Sequence, residues 1–235
     1  MSSTNMSPIP CRAPREGRRF GWRLLGVVAA FCIILTMAPA VSLAVTAEDK
    51  TLFSVIAGSL SFSTTPAMPT LTSVTLNGQA QTTTTTMTNF GVADATGSAS
   101  GWNVTVAGQS GAEKSAVFAQ YCPTATCGAD AKGYVPAGAT LPANSLTLGS
   151  TGASFAAQNG STGTLPTLQC ATACNVDSGS AVKIASAAVS AGMGTFLTNA
   201  FAANSLSLAT PTTLKALANG ETYRVNLLWT LGTGP

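Results

Sequence analysis

Short β-strand signals, separated by turn residues, recur along the chain after residue 58, and no long segment has helical periodicity. The segment "SLSFS" places Leu60 and Phe62 on one face, and "GWNVTVAG" does the same for Trp102 and Val104. Asn-Gly pairs, a strong hairpin signal, punctuate the pattern. It therefore predicts an all-β fold, an antiparallel β-sandwich in which alternate side chains of each strand enter one core.

Individual segments make this prediction specific. The segment 70–76, "TLTSVTL", is predicted to be a strand that ends in a hairpin at Asn77-Gly78. After Asn219-Gly220, "ETYRVNLLWTLG" is predicted to be one long strand. The run 82–86 is entirely Thr, which predicts a strand with one solvated face. The segment "SAVKIASAAVSAG" fits either a short helix or a strand followed by a loop.

The first 47 residues have the features of an export signal. Five arginines between positions 12 and 23 precede the uncharged run "LLGVVAAFCIILTM", which leads into the small-residue pattern "SLAVTAEDK". We expect cleavage after Ala44 or Ala47, which leaves a single domain over residues 48–235. The alternative is a retained N-terminal anchor, because no charge occurs between Leu24 and Ala47.

The basic character of the chain lies in this leader. Five of the 11 Lys and Arg residues and one of the eight Asp and Glu residues precede residue 48, so six basic and seven acidic side chains follow it. No stripe of Lys and Arg remains to neutralise phosphates. We therefore expect no nucleic acid partner, and no membrane partner once the leader is removed.

Four cysteines follow the leader, and an even number in an exported protein predicts two disulfides, with three possible pairings. They are Cys122, Cys127, Cys170 and Cys174. Zinc is the alternative, but four and three intervening residues are loose spacings for a four-thiolate site, and an oxidising compartment favours disulfides. The surrounding region, about residues 109–180, is rich in Gly, Ala and Ser and is predicted to be a long, disulfide-containing loop excursion.

The residue types do not favour catalysis. The chain has no His, and the acids after the leader are scattered singly, so we expect a non-enzymatic protein without a metal site or a cofactor. Asp94 is predicted to accept hydrogen bonds from backbone amides of a turn ahead of Gly97, the alternative being a catalytic acid.

Two segments, "GVADATGSASGWNVTV" and "YRVNLLWTLGTGP", resemble the two signature segments of the WxL domain of Gram-positive surface proteins. Two others, "FSVIAGSLSFS" and "SGSAVKIASAAVSAGMGTF", resemble actinobacterial members of that family. In that family an Asp and a Gly-containing turn precede a Gly-Trp strand, and a Tyr-led Trp-x-Leu strand lies near a Pro. The matching positions are Val92, Asp94, Gly97, Gly101, Trp102 and Val104 in the first segment, and Tyr223, Leu227, Trp229, Leu231 and Pro235 in the second.

The resemblance implies a secreted protein of the cell wall or cell surface. It would attach noncovalently to peptidoglycan or another wall polymer, or to a wall-associated surface protein. No sorting motif precedes Pro235, which fits noncovalent attachment. The alternative is a structural subunit of a surface assembly, joined through exposed strand edges such as that of the Thr-rich strand.

The binding residues that we expect lie in the two signature segments. They are Asp94, Thr96, Gly97, Trp102, Asn103 and Trp229, with Val104, Tyr223, Leu227 and Leu231 as structural positions of the motif. Because Trp229 shares a strand face with Leu227 and Leu231, its spacing favours burial over direct ligand contact. Polar groups near Asp94, Thr96 and Asn103 would then face the ligand.

Overall fold

The computed structural model describes residues 50–218 and 220–235, which form 15 β-strands and no helix. All strand pairs are antiparallel, which confirms the predicted fold class. Nothing in this part of the chain is a helix long and apolar enough to cross a membrane. The predicted leader, residues 1–47, and Asn219 of the predicted turn lie outside the described residues.

The strands are short and follow one another closely along the chain. In chain order they are β1 (Leu60–Thr64), β2 (Gln81–Thr85), β3 (Gly91–Asp94), β4 (Trp102–Gly108), β5 (Ala119–Cys127), β6 (Asp130–Tyr134), β7 (Leu146–Leu148), β8 (Ser154–Gln158), β9 (Thr167–Leu168), β10 (Cys174–Asn175), β11 (Val182–Ala187), β12 (Gly194–Asn199), β13 (Leu206–Thr210), β14 (Thr222–Arg224) and β15 (Leu227–Thr233).

The strands form four antiparallel sheets that join distant parts of the sequence. Their orders are β1-β3-β12-β8, β10-β7-β13-β2, β15-β4-β11-β9 and β14-β5-β6. In the second sheet β2 pairs with β13, and in the third β4 pairs with β15, so early strands lie beside late ones. The fold therefore depends on long-range pairing that must form before either partner strand is stable.

One hydrophobic core lies between the sheets. The burial of β4 alternates from Trp102 to Gly108, as expected for a strand with one face in the core. Aromatic rings connect the sheets. The ring centroid of Phe155 in β8 lies 5.9 Å from that of Trp102 in β4 and 5.9 Å from that of Phe90, and both pairs are edge to face. Burial of such side chains supplies about 1.5–3 kcal/mol each, which makes this core the main source of stability.

The segment 70–76 is not a strand, so the prediction of a hairpin from it into β2 is wrong. It is held against β2 by side chains: Thr83 Oγ1 donates to the Thr72 carbonyl at 3.0 Å, and Gln81 Nε2 donates to the Thr75 carbonyl at 2.8 Å. The backbone of β2 pairs with β13 on one side only, so β2 is an edge strand, and this segment lies along its other side. The Thr-rich strand itself forms, with Thr83 buried and its neighbours exposed, as predicted.

The final predicted strand is divided into β14 and β15. The break occurs because the chain changes sheets: β14 pairs with β5, whereas β15 pairs with β4. At the break, the Asn226 amide donates to the Ser115 carbonyl, and the Gln109 amide donates to the Asn226 carbonyl, both at 2.8 Å. The ambiguous segment "SAVKIASAAVSAG" contains a strand, β11.

The cysteines form two local disulfides, Cys122–Cys127 and Cys170–Cys174, with Cα atoms 5.7 and 5.4 Å apart. This confirms the disulfide prediction and selects one of the three pairings. The surrounding region, residues 109–180, also contains six strands, β5 to β10, and supplies core residues such as Leu148 and Phe155. Its strands are brief or irregular, which explains why the sequence shows the region mainly as connections.

Candidate functional site

The two signature segments lie side by side in the third sheet. In the pairing of β4 with β15, Trp102 is opposite Thr233, Val104 is opposite Leu231, and Val106 is opposite Trp229. Sequence spacing placed each Trp on a strand but did not show that the two strands pair. The structure therefore joins the two motifs in one pair of antiparallel strands.

Trp102 is a core residue. Its side chain has no solvent exposure, and its Nε1 donates a 3.1 Å hydrogen bond to the carbonyl of Gly192. A β-carbon on Gly192 would lie 2.6 Å from this nitrogen, and the backbone there has φ of +72°, so glycine is required on both counts. The structure thus places Trp102 where it can stabilise the sheets but cannot meet a ligand without unfolding.

Trp229 lies at the boundary of the core. Its ring is 5.8 Å from the ring of Phe90, while the side chain remains partly exposed. Leu227 and Leu231 pack against the core on the same face, as their spacing predicted, and Leu228 on the other face is exposed. One side of the indole therefore contacts the core, and the other faces an open cavity.

The cavity has a volume of about 1050 Å³ and is lined mainly by apolar side chains, including nine leucines. Its walls are the segment 66–76, strands β7 and β13, and the C-terminal part of the chain from 214 to 229. Three positions of the second signature, Tyr223, Leu227 and Trp229, belong to this lining. Burial raises the pKa of the Tyr223 phenol, whose hydroxyl donates to the Lys215 carbonyl at 2.8 Å.

The turn between β3 and β4 is organised by Asp94. This side chain is 5% exposed, and its Oδ1 accepts hydrogen bonds from the Thr96 amide at 3.0 Å and the Thr96 hydroxyl at 2.6 Å. Gly97 and Gly101 complete the turn with φ of +65° and +74°. The turn-forming role predicted for Asp94 is confirmed by these bonds.

Three hydroxyls continue from Asp94 along the outside of this turn. Thr96 Oγ1 lies 2.9 Å from Ser98 Oγ, which lies 2.8 Å from Ser100 Oγ. We call this row, Thr96, Ser98 and Ser100, the hydroxyl ladder. Thr96 Oγ1 donates its single proton to Asp94 Oδ1, so Ser98 must donate to Thr96, and Ser100 to Ser98. The Ser98 and Ser100 amides also donate to Thr96 Oγ1 at 3.3 Å and to Ser98 Oγ at 3.4 Å. Both lone pairs of these two oxygens are thus used, and the ladder ends in the free lone pairs of Ser100 Oγ.

Asn103 connects the first signature to the C-terminal residues. Its Nδ2 donates a 2.8 Å hydrogen bond to the Gly234 carbonyl, and the Gly234 amide donates to the Gly101 carbonyl at 2.9 Å. The structure therefore gathers Asp94, Thr96, Gly97 and Asn103 at one end of β4. Trp102 points into the core at the same end, and Trp229 lies four residues further along, opposite Val106.

Two further clusters were not found by sequence reasoning. One is the apolar cavity, whose walls come from segments more than 100 residues apart. The other is a surface group in which Tyr121 and Tyr134 have ring centroids 5.1 Å apart and the Arg224 guanidinium lies 4.5 Å from the Tyr121 ring. The second signature segment supplies Tyr223, Leu227 and Trp229 to the cavity and Arg224 to the surface group, but its spacing does not indicate a cavity or an aromatic pair.

Asp177 is a buried acid with a structural position. It has no solvent exposure, and its Oδ2 accepts a 3.0 Å hydrogen bond from the Ser145 amide just before β7. Burial raises the pKa of this carboxyl, although nearby backbone amides oppose the effect. In the part of the chain that the structure describes, no three His, Cys, Asp or Glu residues cluster to hold a metal ion.

Comparison with known families gives one match. A family model described as "WxL domain surface cell wall-binding" matches residues 51–235, nearly all of the chain that follows the predicted leader. No curated protein and no solved structure matches the chain. The matched range contains both signature segments, both disulfides and all 15 strands.

Proposed function

The chain belongs to the WxL family of surface cell wall-binding domains, and we propose that it attaches noncovalently to peptidoglycan, or to a partner held on it, through the turn between β3 and β4. Its family makes it a secreted protein of the cell wall or cell surface. The polymer and the contact residues are the new part of this proposal. The observation that carries it is the hydroxyl ladder, which lies in the first signature segment and has an exposed side.

The ladder suits a ligand rich in hydrogen-bond donors. Each hydroxyl donates its proton to the preceding member, and the lone pairs of Thr96 Oγ1 and Ser98 Oγ are occupied within the ladder. Ser100 Oγ is therefore the member that accepts from sugar hydroxyls or from amide N–H groups. Peptidoglycan offers both kinds of donor, on its glycan and on its peptide. Because Asp94 fixes the direction of the ladder, the acceptors are oriented before the ligand arrives, which lowers the entropy cost of binding.

The remaining predicted site residues have supporting roles in this proposal. Gly97 allows the turn, Trp102 holds β4 in the core, and Asn103 fixes the C-terminal residues beside the turn. Trp229 stabilises the same sheet from its opposite strand. Loss of these residues would weaken wall binding indirectly, by disturbing the turn.

Binding to washed, protein-free cell-wall sacculi tests the proposal. The chain from Glu48 to Pro235 is incubated with sacculi, and the bound fraction is measured after sedimentation. Replacing the hydroxyl ladder, by Thr96→Val with Ser98→Ala and Ser100→Ala, is expected to weaken binding at least about tenfold, because each lost hydrogen bond contributes about 0.5–1.5 kcal/mol.

The matched control replaces hydroxyls elsewhere. Thr82→Val with Thr84→Val changes two exposed threonines of β2 and is expected to leave binding unchanged. Circular dichroism and the urea midpoint identify any variant that is merely unfolded. Unchanged binding by the folded ladder variant would overturn the assignment of the site, and absence of binding by the unmodified chain would overturn the proposed function.

We also propose that the domain binds the wall without cleaving it. Families of wall-binding domains need no reaction chemistry, and Asp94, the one acid in the first signature, is occupied by its own turn. Prolonged incubation with purified sacculi should release no soluble fragments. Fragments that appear with the unmodified chain, and not with Asp94→Asn, would show that a reaction takes place.

A further inference from the structure

The apolar cavity is large enough for a ligand and is open to solvent. Its volume of about 1050 Å³ is at the upper end of the range of small-molecule sites. Leu71, Leu214 and Leu227 in its walls are only partly buried against the core, so the facing walls do not pack on each other. Water finds few hydrogen-bond partners in an apolar cavity of this kind. An apolar occupant therefore stabilises it better than water does.

The charged residues of the lining are Lys215, Glu221 and Arg224. Both basic side chains are exposed, and the Arg224 guanidinium is held above the Tyr121 ring. The acid is turned toward the protein: Glu221 Oε2 accepts a 2.9 Å hydrogen bond from Gln120 Nε2, and Oε1 is buried without a hydrogen-bond partner. Two basic side chains and one acidic side chain give the lining an excess of one positive charge. Because the Arg224 guanidinium is directed at Tyr121, outside the lining, Lys215 is the cation that is free to meet a ligand at the cavity.

The segment that carries Lys215 is also held in place. The Tyr223 hydroxyl of β14 donates to the Lys215 carbonyl at 2.8 Å, and the Leu214 amide donates to the Pro211 carbonyl at 3.0 Å. These bonds fix the chain over one side of the cavity. The Lys215 backbone is thereby fixed at the cavity, and its exposed side chain begins beside the apolar walls.

From this combination we propose that the cavity binds an amphiphile with a long acyl chain and an anionic head group. The acyl chain occupies the leucine-lined space between segment 66–76 and Trp229, and the head group lies beside Lys215. This site is separate from the hydroxyl ladder, so it gives the domain a second ligand and does not depend on the proposed wall contact.

Tryptophan fluorescence provides a direct readout. The chain from Glu48 to Pro235 contains two tryptophans, of which Trp102 is fully buried and Trp229 lines the cavity. Titration with 1-palmitoyl-lysophosphatidylglycerol, below its critical micelle concentration, is expected to give a saturable blue shift, with one amphiphile bound per chain by calorimetry. The shift should be absent in Trp229→Phe, while calorimetry still detects binding.

Matched variants test the two parts of the site. Ala216→Trp places a bulky ring on an exposed lining position and is expected to abolish binding, whereas Ala218→Trp, on an exposed alanine outside the lining, should not. Lys215→Gln should reduce the preference for the anionic amphiphile over palmitoyl-lysophosphatidylcholine by about two- to fivefold, the effect of one exposed ion pair. Lys132→Gln, an exposed lysine outside the lining, is the control of equal charge.

Three results would overturn the proposal. They are the absence of saturable binding by the unmodified chain, equal binding by Ala216→Trp, and equal binding of glycerol phosphate, which lacks the acyl chain. Light scattering distinguishes one further occupant: if the unmodified chain is a dimer and Ala216→Trp is a monomer, a second copy fills the cavity and the amphiphile does not. Wall binding would survive any of these results.

Discussion

The two signature tryptophans are predicted to differ in their contribution to stability. Trp102 has no solvent exposure, lies edge to face with Phe155 and donates a hydrogen bond to Gly192. Trp102→Ala would leave a closed cavity, and a Trp-to-Ala change of this kind costs about 3–5 kcal/mol. It would also leave the Gly192 carbonyl without its donor, which costs about 1–3 kcal/mol. We expect a loss of at least about 4 kcal/mol, close to the whole stability of many domains.

Trp229→Ala should cost less, about 2–3 kcal/mol, because the side chain is partly exposed and its removal enlarges a cavity that already exists. Urea unfolding of the chain from Glu48 to Pro235, followed by circular dichroism with both disulfides intact, measures both values. Trp102→Phe keeps a ring beside Phe155 and provides a measurable substitute if Trp102→Ala does not fold. Leu228→Ala, at a 48% exposed position of β15, is the control and should cost less than about 1 kcal/mol.

If Trp229→Ala were as destabilising as Trp102→Ala, or more so, the two side chains could not differ in burial as assigned. That result would mean that the outer face of Trp229 is covered in solution. A loss below about 1 kcal/mol for Trp102→Phe would equally contradict the assigned hydrogen bond and packing.

Two further predictions concern the disulfides and the buried acid. Replacing Cys170 and Cys174 by Ala, or Cys122 and Cys127 by Ala, should destabilise by about 2 kcal/mol, the value for a short closed loop. Urea midpoints of the two double variants test this value, and a loss well below about 1 kcal/mol for either pair would contradict it. Since burial raises the pKa of Asp177, the folded state keeps a proton that the unfolded state releases, so stability should fall as pH rises from about 4 through the raised pKa. Asp177→Asn should make the free energy of unfolding less dependent on pH in this range. If urea unfolding of this variant between acidic and neutral pH shows the same pH dependence, Asp177 does not cause it.

Local patterns predicted several strands but not every boundary. The alternation in "GWNVTVAG" corresponds to β4, and the Thr-rich run corresponds to β2. Segment 70–76 has the same β-branched composition, yet it is not a strand, because β2 pairs with β13 on one side and bonds this segment through side chains on the other. Strand propensity indicates which segments can pair but cannot determine which partner is available.

In the candidate site, too, features that depend on neighbouring residues were predicted, and features that depend on distant contacts were not. Asp94 and Gly97 were predicted to form a turn, since an Asp that bonds nearby amides and a glycine with positive φ act within a few residues. The hydroxyl ladder is also local, but its bonds depend on the turn conformation that follows Asp94. The apolar cavity could not be predicted, because its walls come from segment 66–76, the middle strands and the C-terminal residues.

The sequence by itself therefore determined the antiparallel β class, the two disulfide-bonded cysteine pairs as a set, and the family, because these depend on residue types and short spacings. Only the tertiary structure decided that the two signature strands pair, that Trp102 is buried while Trp229 borders a cavity, and which cysteines join. The physical reason is that burial and pairing arise from contacts between residues distant in the chain, and a single sequence does not reveal these contacts.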